Sequence, residues 1–289
     1  MTAYDSATQY IRGIDIDKLA KGFADEQNVF KKFITVSVTS ARELRWYQKT
    51  SGFLDSTDTT GITASQIANV SFKSRPVVVE QSWTRNTSYI RKYFVESPWL
   101  SDEDIKDSDI DLLATNVRDL VRAVERQVDS RIYTVLSTGT GVQTSVATAD
   151  GWDDAATGDP IGDLLLAKQK IREYGYNPEG AILAISELEH KQLIQFIINV
   201  KGSSIPSFAS SKIESGVVME ILGLRVVVSH NCTQNQALIF TQDAATWKSF
   251  TPITTAIVTD EGIGKKIRVW EEGECLLTDP KASYLLTSV

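Results

Sequence analysis

Two histidines, His190 and His230, are all that the 289-residue chain has, and each stands beside a group that acid–base or nucleophilic chemistry uses. Glu189 precedes His190 in a segment with helical spacing, and Asn231-Cys232 follow His230. A thiol near an imidazole is the raw material of a base-activated nucleophile. Neighbouring residues on a polar turn seldom face each other, however, and His230-Asn231-Cys232 occupies such a turn after an apolar run. The histidines and cysteines have no zinc-ligand spacing. Gly262-Ile263-Gly264-Lys265-Lys266 carries part of a phosphate-cradling loop, but Thr259 replaces its first glycine and no Ser or Thr follows Lys265. Gly139-Thr140-Gly141 lacks the third glycine of a dinucleotide fingerprint, since Thr144 stands there. The paired carboxylates Asp153-Asp154 and Glu271-Glu272 read as solvated faces. The residues therefore imply no catalytic set, no cofactor and no metal site, and the chain is not expected to be an enzyme.

The elements that would have to position chemistry are better specified than any chemistry. Residues 101–139 read as one long helix. Ile110, Leu113, Val117, Val121, Val124, Val128, Ile132 and Val135 recur at three- and four-residue intervals, while Arg118, Asp119, Arg122, Glu125, Arg126 and Arg131 form a wide polar face. Ser108 with Asp111 three residues later approximates a capping box. Acidic residues from Asp102 to Asp111 lie at the positive end of the helix dipole, and Ser137-Thr138-Gly139 terminates it. Roughly 27 helical residues would span about 40 Å, more than the usual three or four turns. This is a rod without a site.

Composition narrows the function classes. A hydrophobic content of 42% provides for a substantial core, and a net charge of −7 argues against a protein whose main affinity is for phosphate backbones. No apolar run is long enough to cross a bilayer, so no membrane partner is expected. The first residues lack a basic stretch followed by an apolar core, which gives the expectation of a non-secreted chain. Two cysteines, Cys232 and Cys275, are too few for a disulfide framework.

Around the rod the chain divides into zones. Residues 1–40 form an arm with a weakly amphipathic segment that includes Phe23 and Phe30. Residues 41–100 hold two strands, RELRWYQKT and a second running from PVVVEQSW through TRNTSYIRKYFVES. A Ser/Thr/Gly/Asp-rich projection, residues 51–71, lies between them. After residue 150, Asp159 and Pro160 open a helix that stops at Gly175, and AILAIS follows as a strand. Ser186 and Glu189 make a capping box for a second helix, whose apolar face is Leu188, Leu193, Ile194 and Ile197. LRVVVS and ALIF read as buried strands, and ITTAIVTD, KKIRVWEE, ECLLTD and ASYLL as a closing β-region. The fold class is α+β.

This order of elements resembles the major capsid proteins of tailed phages, the Hong Kong 97-like fold. The residues that carry the resemblance are the rod KDSDIDLLATNVRDLVRAVERQVDSRIYTVL, the glycine before a strand in ILGLRVVVSHN, and RVWEEGECLLTDPKASYLL with its Asp-Pro-x-Ala step. The resemblance implies an N-terminal arm (1–40), an extended two-stranded loop (41–100), a peripheral domain with a spine helix (101–150 and 247–289) and an axial domain (151–246). It implies many copies, as hexamers and pentamers, tiling an icosahedral shell around double-stranded DNA, with assembly in the host cytoplasm. Separate scaffolding, portal and decoration proteins are the further partners of such a shell, and contact with packaged DNA is expected to be weak and nonspecific. The expected inter-subunit positions are Phe23, Phe30, Trp46, Phe53, Leu54, Ile62, Trp83, Tyr89, Arg118, Arg122 and Arg126. Some members lock the shell with a lysine–asparagine isopeptide bond. Lys49 and Lys73 are present, but residues 236–289 contain no asparagine, so a noncovalent shell is expected. Two alternatives remain, an encapsulin-type cellular shell and a ligand-binding or enzymatic α/β domain at 151–246.

Overall fold

The computed structural model describes residues 29–51, 71–75, 82–107, 112–147, 151–154, 157–197 and 220–289. Two sheets and a separate β-ribbon are arranged around one long helix. The first sheet has the order β1 (Thr35–Val38), β11 (Ala245–Asp260), β12 (Gly264–Leu277), β4 (Arg91–Glu96), with the short β5 (Leu100–Ser101) also on β12. Strands β11 and β12 form a long antiparallel hairpin, whereas β1 joins β11 in parallel. Side chains alternate along β12: Ile267, Val269 and Glu271 are buried, and Lys266, Arg268 and Trp270 are not.

On the buried side lies α2 (Leu112–Thr138), 27 residues long. Val117, Val121, Val124, Val128 and Ile132 turn inward with the period read from the sequence, but the buried stripe ends on Leu136, and Val135, the expected last position, is only partly buried. The helix joins two apolar clusters. Its first half meets Ile267 and Val269, and its second half meets Phe240, Trp247 and Leu277. It stops at Gly139, where a Cβ would come within 2.5 Å of both Leu277 and the Val135 carbonyl.

The second sheet has the order β6 (Gln143–Val146), β13 (Ser283–Thr287), β10 (Gln236–Phe240), β7 (Ile182–Ile185), β9 (Leu224–Val228), β8 (Glu220–Ile221). Helix α3 (Pro160–Glu173) places Leu164, Ala167 and Ile171 in a cluster with Leu183, Ile185, Ile239 and Leu286. Helix α4 (Glu187–Phe196) adds Leu193 to the same core. The ribbon is β2 (Glu43–Ser51) paired antiparallel with β3 (Ser82–Tyr89) and belongs to neither sheet.

Several expectations are corrected. Residues 101–139 are not one helix: α1 (Asp102–Asp107) is a separate short helix, with α2 starting at Leu112. Ile110 and the Ser108–Asp111 cap lie outside the described residues. The second strand of zone 41–100 is two strands, since Ile90 separates the ribbon's β3 from β4, which crosses to β12. KKIRVWEE and ECLLTD form one strand, and ASYLL leaves that sheet to pair with β10 and β6. Asp159 occupies the N-cap position of α3 but makes no side-chain cap bond. Ser186 accepts from the Leu188 amide at 3.2 Å, yet Glu189 does not complete an ordinary capping box. Its carboxylate takes the Ser186 hydroxyl and, at 2.7 Å, the Asn235 amide, because the 230–235 turn packs over it. Leu188 is on the exposed side of α4, with Gln192 and Phe196 buried instead. LRVVVS lies next to the sheet edge and is only partly buried, unlike ALIF. Glu271 is wholly buried rather than solvated.

Candidate assembly interface

The ribbon's pairing register sorts its residues onto two faces. Opposed residues share a face, so Leu44↔Ser88, Trp46↔Asn86 and Gln48↔Thr84 lie on one side. That side is turned toward the rest of the chain. Leu44 is buried, and both Trp46 Nε1 (2.9 Å) and Gln48 Nε2 (2.6 Å) donate to the Leu277 carbonyl at the end of β12. Asn86 donates to Gln48 at 2.7 Å and ties the second strand to the same anchor. On the other side lie Glu43↔Tyr89, Arg45↔Thr87 and Tyr47↔Arg85, with Trp83 opposite Lys49. Tyr47, Trp83 and Tyr89 are each more than half exposed. A two-stranded ribbon alone is marginally stable, and three large aromatics in water add to that cost.

The segment before β1 is held differently. Phe30 is completely buried, against Tyr133 and Phe240 at ring separations of 5.9 and 6.4 Å. The Asp129 carboxylate on α2 accepts the Val29 amide at 2.7 Å and the Phe30 amide at 3.2 Å. Lys31 bonds to buried Glu271 of β12, and Arg131 and Arg91 flank buried Glu274, each at 2.7 Å. These ion pairs form a charged belt beside α2, and Glu125, also buried, lies on that helix between Val124 of one apolar cluster and Val128 of the other. Burial pushes the Asp129 carboxyl up to about 6 despite the amides that stabilise its charge. The sequence reading missed this belt. Its one signal in the sequence is that Glu125 and Asp129, four apart, each directly follow a valine of the buried stripe, Val124 and Val128.

The expected interface residues therefore separate. Trp83 and Tyr89 share the exposed ribbon face, and Tyr47 joins them there. Trp46 is the anchor of the opposite face and bonds its own chain. Phe30, expected between subunits, instead fills the core of its own chain and offers no surface to a neighbour. Arg126 is exposed, Arg118 lies 3.4 Å from Asp119 of its own helix, and Arg122 is half-buried with its Nε unpartnered among the described residues. Phe23, Phe53, Leu54 and Ile62 lie outside the described residues.

The histidines and Cys232 are not brought together as a base-activated nucleophile. Cys232 is buried and burial pushes its thiol up to about 12, away from the thiolate a nucleophile needs. His230 is mostly exposed and stands 3.8 Å from Glu187. Burial lowers the His190 imidazole, which holds no carboxylate or thiol among its described hydrogen bonds. The glycines of 262–264 form the β11–β12 turn; Gly264, at φ +150, passes so close to the Leu100 carbonyl that a Cβ has no room. Among the described residues no cluster of His, Cys, Asp and Glu is arranged for a metal ion, and no helix is long and apolar enough to cross a membrane.

A long helix laid on a β-hairpin sheet, a second α/β layer and a projecting ribbon make a mixed helix-and-sheet architecture of the phage-capsid type. The phage capsid protein family model matches residues 99–284, from just before β5 to the start of β13, and the chain belongs to that family. It is a viral major capsid protein, a structural protein. Solved structures share the fold at low identity. A virus-like particle from Pyrococcus furiosus is 12% identical with a TM-score of 0.66, the match covering 96% of this chain and 100% of that one. The capsid of cyanophage P-SCSP1u is 13% identical at 0.65, covering 90% and 88%. A chain of Mycobacterium phage Che8 is 12% identical at 0.61, covering 86% and 85%. Comparison of the sequence with curated proteins finds no match.

Proposed function

We propose that this chain self-assembles, as hexamers and pentamers, into a Hong Kong 97-like icosahedral shell that encloses double-stranded DNA. The observation that carries the reading is the family match across residues 99–284, which takes in the long helix, the β11–β12 hairpin and most of the second sheet. In this reading α2 is the spine, the ribbon β2–β3 is the extended loop, and residues 1–40 are the arm. The sheet of β4, β11 and β12 is the core of the peripheral domain. The axial domain is built on residues 151–246, with β6 and β13 completing its sheet. Catalysis has no part in it: the subunit works by folding rigidly and presenting surfaces. The shell is the protein's location in the virion, and formation in the host cytoplasm, with separate scaffolding and portal proteins, fits that role. Arg118, Arg122 and Arg126 lie along α2 at four-residue steps, where they support contact with a neighbour's carboxylates or weak contact with DNA.

Sedimentation velocity of the protein expressed alone tests this. The expected result is a species of megadalton size or discrete capsomers; a sharp boundary at the monomer mass at every concentration, with co-expressed scaffolding protein as well as alone, contradicts it. The likeness to the Pyrococcus furiosus particle favours one alternative, an encapsulin-type cellular shell. Nuclease-protected double-stranded DNA in particles from the native source supports the viral reading, and an enclosed protein cargo supports the other.

A further inference from the structure

The root of the ribbon leaves a cleft between itself and the first sheet. Residues 39–42 join β1 to β2, and the Thr39 amide ties this link to β11 by donating to the Ser249 carbonyl at 2.9 Å. Beyond the paired strands, the Ile90 amide donates to the Arg42 carbonyl at 3.0 Å and closes the last rung of the ribbon. Beside that rung lies a cavity of about 240 Å³ lined by Arg42, Ile90, Lys92 and Glu272.

Both cations of the lining are held against aromatic rings. The Arg42 guanidinium stands 5.8 Å from the centre of the Phe250 ring. Lys92 Nζ stands 5.2 Å from the centre of Phe94 and 5.6 Å from that of Trp270. Such contacts restrain a long side chain without neutralising it. Glu272 lies 3.4 Å from Lys92 and also accepts from the Thr251 hydroxyl at 3.4 Å. Arg42 has no carboxylate partner among the described residues. The lining therefore sets two positive charges against one negative, and the donor left over is a guanidinium fork.

We infer that this cleft binds a singly charged phosphate group, supplied by inorganic phosphate or by a phosphodiester of nucleic acid. A guanidinium takes two oxygens of a phosphate in one bidentate contact, and an ammonium takes a third as a point charge. A carboxylate has no third oxygen to offer Lys92. Glu272 opposes a second negative charge and so selects the singly charged form. The chain's overall −7 does not forbid this, because charges more than about 10 Å away are largely screened at ordinary salt. Arg42 belongs to the ribbon's root and Lys92 to β4, so one phosphate bridges the two. The site lies within one chain and stands whether or not the chain forms a shell.

Equilibrium dialysis of the full chain against radiolabelled inorganic phosphate tests it, at about pH 6, where most of the phosphate is singly charged, and at fixed ionic strength. The parent should retain one phosphate per chain. Arg42→Gln should weaken retention by about tenfold or more, the loss expected when a charged hydrogen-bond donor is removed. Glu272→Gln should tighten it, because the opposing charge is gone while the amide still accepts from Thr251. Lys265→Gln, which removes the same charge as Arg42→Gln but from the start of β12, should bind as the parent does. Circular dichroism melts establish that each variant is folded. A short DNA duplex that displaces the label makes the phosphodiester the ligand, and one that does not leaves free phosphate; either supports the site. No retention by the folded parent overturns it. Equal weakening by Arg42→Gln and Lys265→Gln overturns it too, since that is diffuse attraction. So does acetate that displaces the label as well as unlabelled phosphate does. Should Arg42→Gln fail to fold, Glu272→Gln decides alone, and an affinity no higher than the parent's contradicts the site.

Discussion

At the scale of single residues, side chains one position apart on α2 have opposite duties. Val121 is fully buried against β12, while Arg122 projects to a half-buried edge with one nitrogen unpartnered among the described residues. Val121→Asp puts an uncompensated charge in that interface and should cost on the order of several kcal/mol, enough to collapse soluble yield. Arg122→Ala should leave the melting temperature within a few degrees of the parent's. Equal tolerance of the two changes would contradict the helical face. Asp129 gives a pH prediction. Its folded value, about 6, lies above the ordinary 3.8, so the folded state binds its proton first. The ionised form is penalised by folding; stability from this group therefore rises as pH falls from about 6 toward 4. Glu96, Glu173 and Glu179 are held low by lysine and arginine partners and act in the opposite sense, as pH falls further. The difference between parent and Asp129→Asn isolates the term. Urea midpoints at pH 7 and pH 5 should show the parent gaining on the variant as pH falls, and parallel midpoints would deny Asp129 its raised value.

At the scale of elements, the ribbon is the piece whose stability and use are separable. Ser51 and Ser82 face each other at the end of the register, so a two-residue Asn-Gly turn in place of residues 52–81 should close the hairpin. The shortened protein should unfold cooperatively near the parent's midpoint yet fail to form closed shells. Global unfolding, or normal shells, would count against the ribbon as an assembly element. Trp46→Phe should be milder, losing one bond to the Leu277 carbonyl and about 1 kcal/mol. The elements also show what a sequence carries. The valine stripe of α2, Pro160 at the start of α3 and Ser186 before α4 are local signals, and each marks its element within a few residues. Partner choice between strands is not local. Nothing in ASYLL says that it leaves β12 for β10, and nothing in YIRKYF marks the change of sheet at Ile90. Glu271 was misread for the same reason: alternation gives it a face, but only the fold puts Lys31 there to receive it. Of the candidate interface, Trp83 and Tyr89 were legible as aromatics in a projecting strand. Tyr47 and the anchoring duty of Trp46 needed the register, and Phe30 needed its socket.

At the scale of the whole molecule, the described part of the subunit leaves large apolar side chains such as Tyr47, Trp83 and Tyr89 exposed. The absence of asparagine from residues 236–289 predicts a shell without lysine–asparagine cross-links. Boiled, denatured particles should run as one band near 32.0 kDa, and a ladder of multiples would contradict this. Whether the folded chain tiles a closed shell is decided by electron microscopy of the purified protein at micromolar concentration. Closed particles of uniform diameter are expected, or rings of five and six subunits where a scaffolding partner is required. A field of monodisperse single subunits, unchanged on concentration and in the presence of co-expressed scaffolding protein, would contradict it.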